Sequence, residues 1–223
     1  GFRFDAGPSW YLMPEVFDHF FRMLGTSADE QLDLAQLDPG YRVVFEREGD
    51  GPTERVDIAA RREQNVAILE GLEPGAGRKL ERYLDSAEWV YETAKQSFLY
   101  TTFEDVKPVL KSKGVVAGLP KLLPMLLGSL DRFVSARFED HRIRQILGYP
   151  AVFLGASPYA TPGMYHLMSH LDLDDGVLYP AGGITRVIEA IADLAREQGV
   201  RILTGTRATQ VRTVTRGGGR PGV

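Results

Sequence analysis

Two histidines, His166 and His170, are the most obvious candidates for direct chemistry because they stand four residues apart. On a helix this spacing places both imidazoles on one face, where they could bind a zinc ion. The zinc-protease pattern requires glutamate directly after the first histidine, and Leu167 occupies that position. Three aspartates follow, but none has the spacing of a third ligand. The pattern therefore favours a packed helix face, and we predict no metal site.

Two other runs match the first residues of a known motif but not its last residue. The run Gly155-Ala-Ser-Pro-Tyr159 starts like the nucleophile elbow of a hydrolase, but Tyr159 stands where the closing glycine is needed. The run Gly75-Ala-Gly77 starts like a dinucleotide fingerprint, but Leu80 replaces the third glycine and no predicted strand precedes it. These departures argue against a hydrolase and against a nucleotide-binding turn at residue 75.

A charged run, Phe138-Glu-Asp-His-Arg-Ile-Arg-Gln145, precedes an apolar loop with many small residues at 153–162. Taken alone, the run is typical of a solvated helix start. Glu139 and Asp140 would then interact favourably with the positive end of the helix dipole.

Composition restricts the function further. The 223 residues include no cysteine, which excludes disulfides, thiolate nucleophiles and cysteine metal sites and fits a reducing cytosol. The net charge of −4 argues against a nucleic-acid partner. The chain starts at Gly1 inside a β-like run and ends in a glycine-rich tail, so we expect it to be part of a longer protein.

The elements that must position these residues are predicted from periodicity. Apolar residues at helical spacing predict helices, with a helix-rich middle at about 60–175. The pattern around 41–59 predicts a β-hairpin, and prolines and glycines predict a broken helical region at 104–138. Strands are predicted at 1–4, 200–203 and 207–214. The fold class is therefore α/β with α+β character, in which α/β material flanks a helical excursion.

A glycine turn at Gly182-Gly183 introduces the last predicted helix, which closes at Gly199. Apolar residues form one stripe along that helix and include Ile184, Val187 and Ile191. By spacing alone this is the helix-to-strand connection of any doubly wound protein, and that interpretation stays open.

The first ten residues contain the second informative run, Phe2-Arg-Phe-Asp-Ala-Gly-Pro-Ser-Trp10. Its residues predict a strand that leads into a turn, where Gly7 allows the backbone to approach a flat group closely. Together with Tyr179-Pro-Ala-Gly-Gly-Ile184, this run resembles the flavin amine-oxidase-like superfamily. Within that superfamily the likeness is to the bacterial-type phytoene desaturases, and Trp10-Tyr-Leu-Met-Pro14 is also typical of them.

The resemblance implies an FAD cofactor and a set of site residues. Around the isoalloxazine it places Asp5, Gly7, Pro8, Ser9 and Trp10. At the return to the flavin domain it places Gly182 and Gly183, and at the adenine it places the backbone of Ala208, where the family usually has valine. Near the substrate channel it implies catalytic roles for Asp140 and Arg142.

The implied organisation is the middle portion of a two-domain, Rossmann-like flavoprotein. Residues 1–15 would belong to the FAD domain, 16–176 to a helix-rich substrate domain, and 177–223 to the return. The implied reaction is dehydrogenation of a long apolar polyene such as phytoene, by hydride transfer to the flavin. Because the family's Gly-x-Gly-x-x-Gly unit is absent, we expect this chain alone to bind FAD poorly and to be inactive.

Other functions remain open at this point. Carotene isomerases, retinol saturases and amine oxidases share the resemblance. A non-catalytic membrane-surface module is a third class. The apolar stretch Val115–Leu130 is too short and broken to span a bilayer, but lysines and an arginine surround it. It is either a core helix pair or a peripheral membrane contact, and the oligomeric state is not predicted.

Overall fold

The computed structural model describes residues 4, 5, 7–46, 53–99, 113–212, 214–216 and 220–222. Helices and short antiparallel strands are mixed in this part of the chain. The α-helices are α1 Pro14–Met23, α2 Ala28–Gln31, α3 Arg62–Leu72, α4 Ala76–Ala94, α5 Lys113–Leu127, α6 Leu130–Ser135, α7 His141–Gly148, α8 Met168–Leu173 and α9 Thr185–Glu197. The strands are β1 Leu34–Gln36, β2 Tyr41–Phe45, β3 Glu54–Ile58, β4 Leu178–Pro180, β5 Val214–Arg216 and β6 Arg220–Gly222.

Within the described ranges, one π-helical turn and two 3₁₀ segments adjoin these α-helices. A π-helical turn, Lys95–Leu99, continues α4, and two 3₁₀ segments, Tyr149–Leu154 and Gly163–Leu167, follow α7 and precede α8. The strands form three separate two-stranded antiparallel sheets among the described residues.

The larger core lies where the β2–β3 hairpin packs with helices α3, α4, α6 and α7. Apolar residues at helical spacing form one face of α4, and every member of that face is buried: Leu80, Tyr83, Leu84, Ala87, Val90 and Tyr91. The hairpin forms in the predicted region, with Tyr41 paired to Ile58 and Phe45 paired to Glu54. Its loop lies outside the described residues.

A second, smaller core joins the two ends of the chain. Tyr11 and Phe21 are buried against Val187 and Ala190 of α9, together with residues of α2. Because these groups are more than 160 residues apart in the sequence, the core fixes the N-terminal segment against the return segment.

Helix α5 corrects the prediction of a break at Gly118, Pro120 and Pro124, because one helix runs through all three positions. The two prolines stand four residues apart and are both exposed, so water can reach the carbonyl groups that lack a helical partner. The predicted helical residues 104–112 lie outside the described residues. No helix formed by the described residues is long and apolar enough to cross a membrane.

The predicted strands at 200–203 and 207–214 are also wrong in their described part. Residues 200–212 are exposed and have no regular secondary structure, and only Val214 enters a strand, β5. A single extended segment gains ladder hydrogen bonds only beside another strand, and the described residues provide none next to 200–212. Residues 1–3 of the first predicted strand lie outside the described part, and Phe4 is not in a strand.

Candidate functional site

The two sequence runs that carry the resemblance meet in the structure. Strand β4 pairs with β1 on one side, where Leu34 lies opposite Pro180. On the other side the Tyr11 N–H donates to the Leu178 carbonyl at 2.8 Å. The turn before Tyr11 therefore lies beside the turn after β4, and we call this meeting point the junction (residues 5, 7–10 and 179–184).

Asp5 makes the hydrogen bonds that close the junction. Its carboxylate accepts from the Tyr179 hydroxyl at 2.5 Å and from the Ile184 N–H at 3.2 Å. The Tyr179 hydrogen bond, followed by the Ile184 amide, lowers the pKa of the Asp5 carboxyl below its usual 3.8. The same bond raises the pKa of Tyr179. Asp5 thus supplies a negative charge at the start of α9, where the helix dipole favours it.

Gly182 and Gly183 are required by this geometry. Their φ angles are +88° and +94°, a region that residues with a Cβ rarely adopt. A Cβ at Gly183 would also lie 3.1 Å from Asp5 Oδ1, which is too close for an ordinary contact. The paired glycines therefore let the return turn receive the aspartate.

The outer part of the junction is open. Gly7, Pro8 and Ser9 are exposed, and Gly7 has a φ of +109°. A Cβ added at Gly7 would meet no atom of the described residues within 4 Å, so this part of the chain leaves space beside the backbone. A flat aromatic cofactor could approach such backbone closely, and the residues present therefore fit a flavin. Ala208 lies elsewhere, exposed in the irregular segment 200–212, where its backbone is free to make a hydrogen bond.

Trp10 belongs to an aromatic cluster with Tyr41, Tyr149 and Phe153. The Trp10 ring lies 5.0 Å from Tyr41, 5.9 Å from Tyr149 and 5.8 Å from Phe153, measured between ring centroids. Tyr41 and Tyr149 stack at 5.9 Å, and Tyr149 meets Phe153 edge-on at 6.1 Å. These separations are those of favourable ring pairs.

Behind the aromatic cluster lies a buried acid, Asp172 of α8. The Tyr41 hydroxyl donates to Asp172 Oδ2 at 2.8 Å, while Oδ1 has no hydrogen-bond partner among the described residues. Burial raises the pKa of Asp172 from 3.8 to about 7, although the Tyr41 hydrogen bond acts in the opposite direction. Burial, and then the nearby Asp172, raise the pKa of Tyr41 well above its usual value.

An apolar cavity of about 330 Å³ lies near the same N-terminal segment. Its lining comes from the residue before α1, the end of α4, the π-helical turn, the end of the second 3₁₀ segment and α8: Met13, Tyr91, Ala94, Lys95, Leu99, Leu167, Met168 and Leu171. Met13 has a left-handed backbone, with φ of 59°, which is rare for a residue with a side chain. The cavity can accommodate an apolar chain but offers few polar partners.

Asp140 and Arg142, the predicted catalytic pair, lie in a charged network that we call the Arg142 network (Glu54, Asp140 and Arg142). Asp140 caps α7 by accepting from the Arg142 N–H at 2.8 Å. The Arg142 guanidinium donates to Asp140 Oδ2 at 2.6 Å, to the Leu72 carbonyl at 3.4 Å and to Glu54. The network therefore ties α7 to β3 and to the end of α3.

Both carboxylates of this network bind the single guanidinium of Arg142. Hydrogen bonding to Arg142 lowers the pKa of Asp140 from 3.8 to about 2, and the same contact raises the pKa of Arg142. A carboxylate with such a low pKa binds a proton weakly at neutral pH. The catalytic assignment of Asp140 and Arg142 stays a prediction.

The two histidines do not share one helix face. His166 lies in the 3₁₀ segment Gly163–Leu167 and is fully buried. Its Nδ1 lies 3.0 Å from the Gly163 carbonyl oxygen, and its Nε2 lies 3.1 Å from the Ser86 hydroxyl oxygen. Burial lowers the pKa of His166 to about 4. His170 lies in α8 and contacts Asp174 at 3.2 Å instead. The described residues contain no group of three or more side chains arranged to hold a metal ion.

Comparison with known proteins identifies the family. The family model for flavin containing amine oxidoreductase matches residues 1–223. The chain belongs to this family. Its relatives include a carotenoid 3,4-desaturase of Haloarcula japonica, which is 38% identical over 95% of this chain.

Two more family members have related names. The zeta-carotene-forming phytoene desaturase of Myxococcus xanthus is 33% identical over 100% of the chain. The phytoene desaturase of Fusarium fujikuroi is 31% identical over 96% of the chain. The chain spans 41% of the length of each of the first two relatives and 37% of the third.

Sequence reasoning missed Tyr41, Tyr149, Phe153 and Asp172. The signal for Asp172 is present, since this acid stands between Leu171 and Leu173 in a run that α8 buries. Asp174 and Asp175 follow closely, and the three aspartates together suggest metal ligands instead of one buried acid. The Tyr41 contact has no local signal because its partner is 131 residues away.

Proposed function

We propose that the protein containing this chain is an FAD-dependent desaturase of long apolar polyenes such as phytoene, in carotenoid biosynthesis. The observation that carries the proposal is the junction, because Asp5, Tyr179 and Gly183 join the two runs that resemble flavin-contacting segments. The names of the relatives support a carotenoid substrate. In this proposal the chain contributes the middle portion of a two-domain, Rossmann-like flavoprotein with the boundaries given above.

When bound, FAD supplies the hydride acceptor of the reaction. The residues of this chain would hold it through the exposed backbone of Gly7, Pro8 and Ser9, with Trp10 at the inner side. Asp5, Gly182 and Gly183 would keep the two turns in register, and the Ala208 backbone would contact the adenine. The apolar lining of the cavity beside Met13 supports a substrate without charged groups.

We assign Asp140 and Arg142 to positioning rather than to proton transfer. The Asp140 carboxylate is already bonded to Arg142 and to the α7 amide, so accepting a proton would break those bonds. Their contribution would be to fix the hairpin against α7, next to Tyr149. Substitution of Asp140 separates this role from a catalytic one, as set out in the Discussion.

Turnover by the full-length protein tests the proposal. The protein, reconstituted with FAD, is incubated with phytoene dispersed in lipid, and new conjugated double bonds are measured by their absorbance. We expect a polyene product and no oxidation of primary amines. Amine oxidation without polyene formation would assign the protein to the amine-oxidase type, and flavin-independent behaviour would favour a non-catalytic module.

A peripheral membrane contact at α5 is a second part of the proposal. Leu122 and Met125 are buried on one side of this helix, whereas Leu123, Leu126 and Leu127 are 49%, 45% and 81% exposed. An exposed apolar face near cationic side chains is suited to the interface of an anionic bilayer. The apolar substrate would then reach the protein from the lipid.

Flotation with anionic vesicles tests this contact. Replacing Leu123, Leu126 and Leu127 with serine should release the protein from the vesicles, whereas the matched replacement of exposed Val200, Ile202 and Leu203 should not. Equal loss in both variants, or no loss in the first, would contradict the proposed contact.

A further inference from the structure

We propose that Trp10, Tyr41, Tyr149 and Phe153 form an aromatic subsite that binds the conjugated segment of a polyene, and that Asp172 is the residue that positions it. This inference rests on the proposed function and deepens it. It assigns the substrate contact to four particular rings and a new role to one buried acid.

The rings have the geometry of a binding surface. Trp10 contacts all three of the other rings at 5.0–5.9 Å between centroids. The outer rings remain accessible, because Tyr149 is 38% and Phe153 is 47% exposed. A conjugated chain is flat and polarisable, and it can stack on such ring faces without stripping water from a charge.

The cluster is held from the core side by Asp172. Asp172 is 3% exposed. Its hydrogen bond with the Tyr41 hydroxyl, at 2.8 Å, connects α8 to β2. A buried carboxyl with one oxygen unpartnered is unfavourable for folding, so packing alone does not account for it. The bond fixes the position of the hydroxyl end of Tyr41, and the Tyr41 ring in turn contacts Trp10.

The position of the cluster favours the polyene over the flavin ring. Trp10 follows the open turn at Gly7–Ser9 directly, so a chain bound on the rings lies next to the proposed flavin side of the junction. A flavin ring needs polar partners for its nitrogen and oxygen atoms. The Tyr41 hydroxyl is already used by Asp172, so Tyr41 and Phe153 offer only their ring surfaces, which suit a hydrocarbon.

Binding of a short conjugated probe, added from detergent micelles, tests the subsite. The full-length protein is labelled with 5-fluorotryptophan, and the Trp10 signal is identified by its loss in Trp10→Phe. We expect all-trans-retinol to shift that ¹⁹F signal, and its Kd to rise about five- to tenfold in Tyr149→Leu and in Phe153→Leu. Tyr159→Leu is the matched control, because this ring lies in the turn after the 3₁₀ segment, is 74% exposed and is not one of the four rings, and the Kd of this variant should not change.

Positioning by Asp172 is tested with three further variants. Tyr41→Phe removes the donor and Asp172→Leu removes the acceptor, so both should raise the retinol Kd about threefold or more. Asp172→Asn keeps an acceptor oxygen and should restore wild-type binding and the wild-type Trp10 signal. If Tyr41→Phe binds retinol as well as wild type does, the positioning role is wrong, whatever happens to the stability of the leucine variant.

The outcomes separate this inference from the proposed function, because retinol binding requires neither FAD nor turnover. An unshifted Trp10 signal, or equal weakening by Tyr159→Leu, overturns the subsite even if phytoene is desaturated. Specific retinol binding without desaturation leaves the subsite standing and rejects the proposed reaction.

Discussion

The Arg142 network and the buried pair of Tyr41 and Asp172 both connect distant parts of the chain through a carboxylate. In the network, every charge has an opposite partner, and the pKa of Asp140 falls to about 2. In the buried pair, the acid has no cationic partner in the described part of the chain and accepts from the Tyr41 hydroxyl, and burial raises its pKa to about 7. The contrast teaches that matched charges fix a fold, whereas an unmatched buried acid points to a position with a further role.

The largest test of this contrast is the pH dependence of stability. The folded protein holds the Asp172 proton up to about pH 7, whereas the unfolded chain releases it near pH 4. The free energy of unfolding should therefore fall as the pH rises between these values, by up to about 1.4 kcal/mol per pH unit from this group. Asp172→Asn should flatten that fall in urea denaturation. Parallel pH profiles for the two proteins would show that Asp172 ionises normally.

The substitution Arg142→Met removes the cation of the Arg142 network. The substitution leaves Asp140 and Glu54 without their cation, and we expect a loss of about 2 kcal/mol in the free energy of unfolding. Arg22→Met is the control, because the Arg22 side chain is 69% exposed and its salt bridge is with Asp18, one turn away on the same helix. Equal effects of the two substitutions on denaturation would contradict a special role for the network.

Asp140→Asn gives a smaller effect and separates positioning from catalysis. Asparagine keeps the α7 cap but loses the charge, so stability should drop by about 1 kcal/mol at pH 7. The deficit should shrink as the pH falls from about 4 toward 2, where wild-type Asp140 also becomes protonated. Turnover by the folded full-length protein should change less than about tenfold, whereas loss of a catalytic base costs about 100-fold or more.

Much of the fold could be predicted because local patterns determine it. The apolar stripe of α4, the hairpin at β2 and β3, and the glycine stop at Gly199 each follow from residues close together in the sequence. The sequence predicts a strand at 200–203, and no local pattern indicates that this strand does not form. Whether an extended segment becomes a strand depends on a neighbouring strand, which local sequence does not reveal.

The candidate site could be predicted only in part for the same reason. Glycines at 7, 182 and 183 are identified from their turns, and each does adopt a positive φ. The contact between Asp5 and Tyr179 spans 174 residues, and its place at the start of α9 emerges only when β4 has paired. The partner of Asp172 likewise depends on how the hairpin packs on α8.

The most direct measurement is the flavin content of the full-length protein with Gly183→Ala, compared with Gly199→Ala. Both positions have a positive φ, +94° and +82°, so both variants carry the same kind of backbone strain. Only at Gly183 does the new Cβ meet Asp5, whereas Gly199 has open space. We predict loss of bound FAD, measured by its visible absorbance per protein, in Gly183→Ala alone. Equal FAD content in both variants would contradict the claim that the junction forms the flavin site.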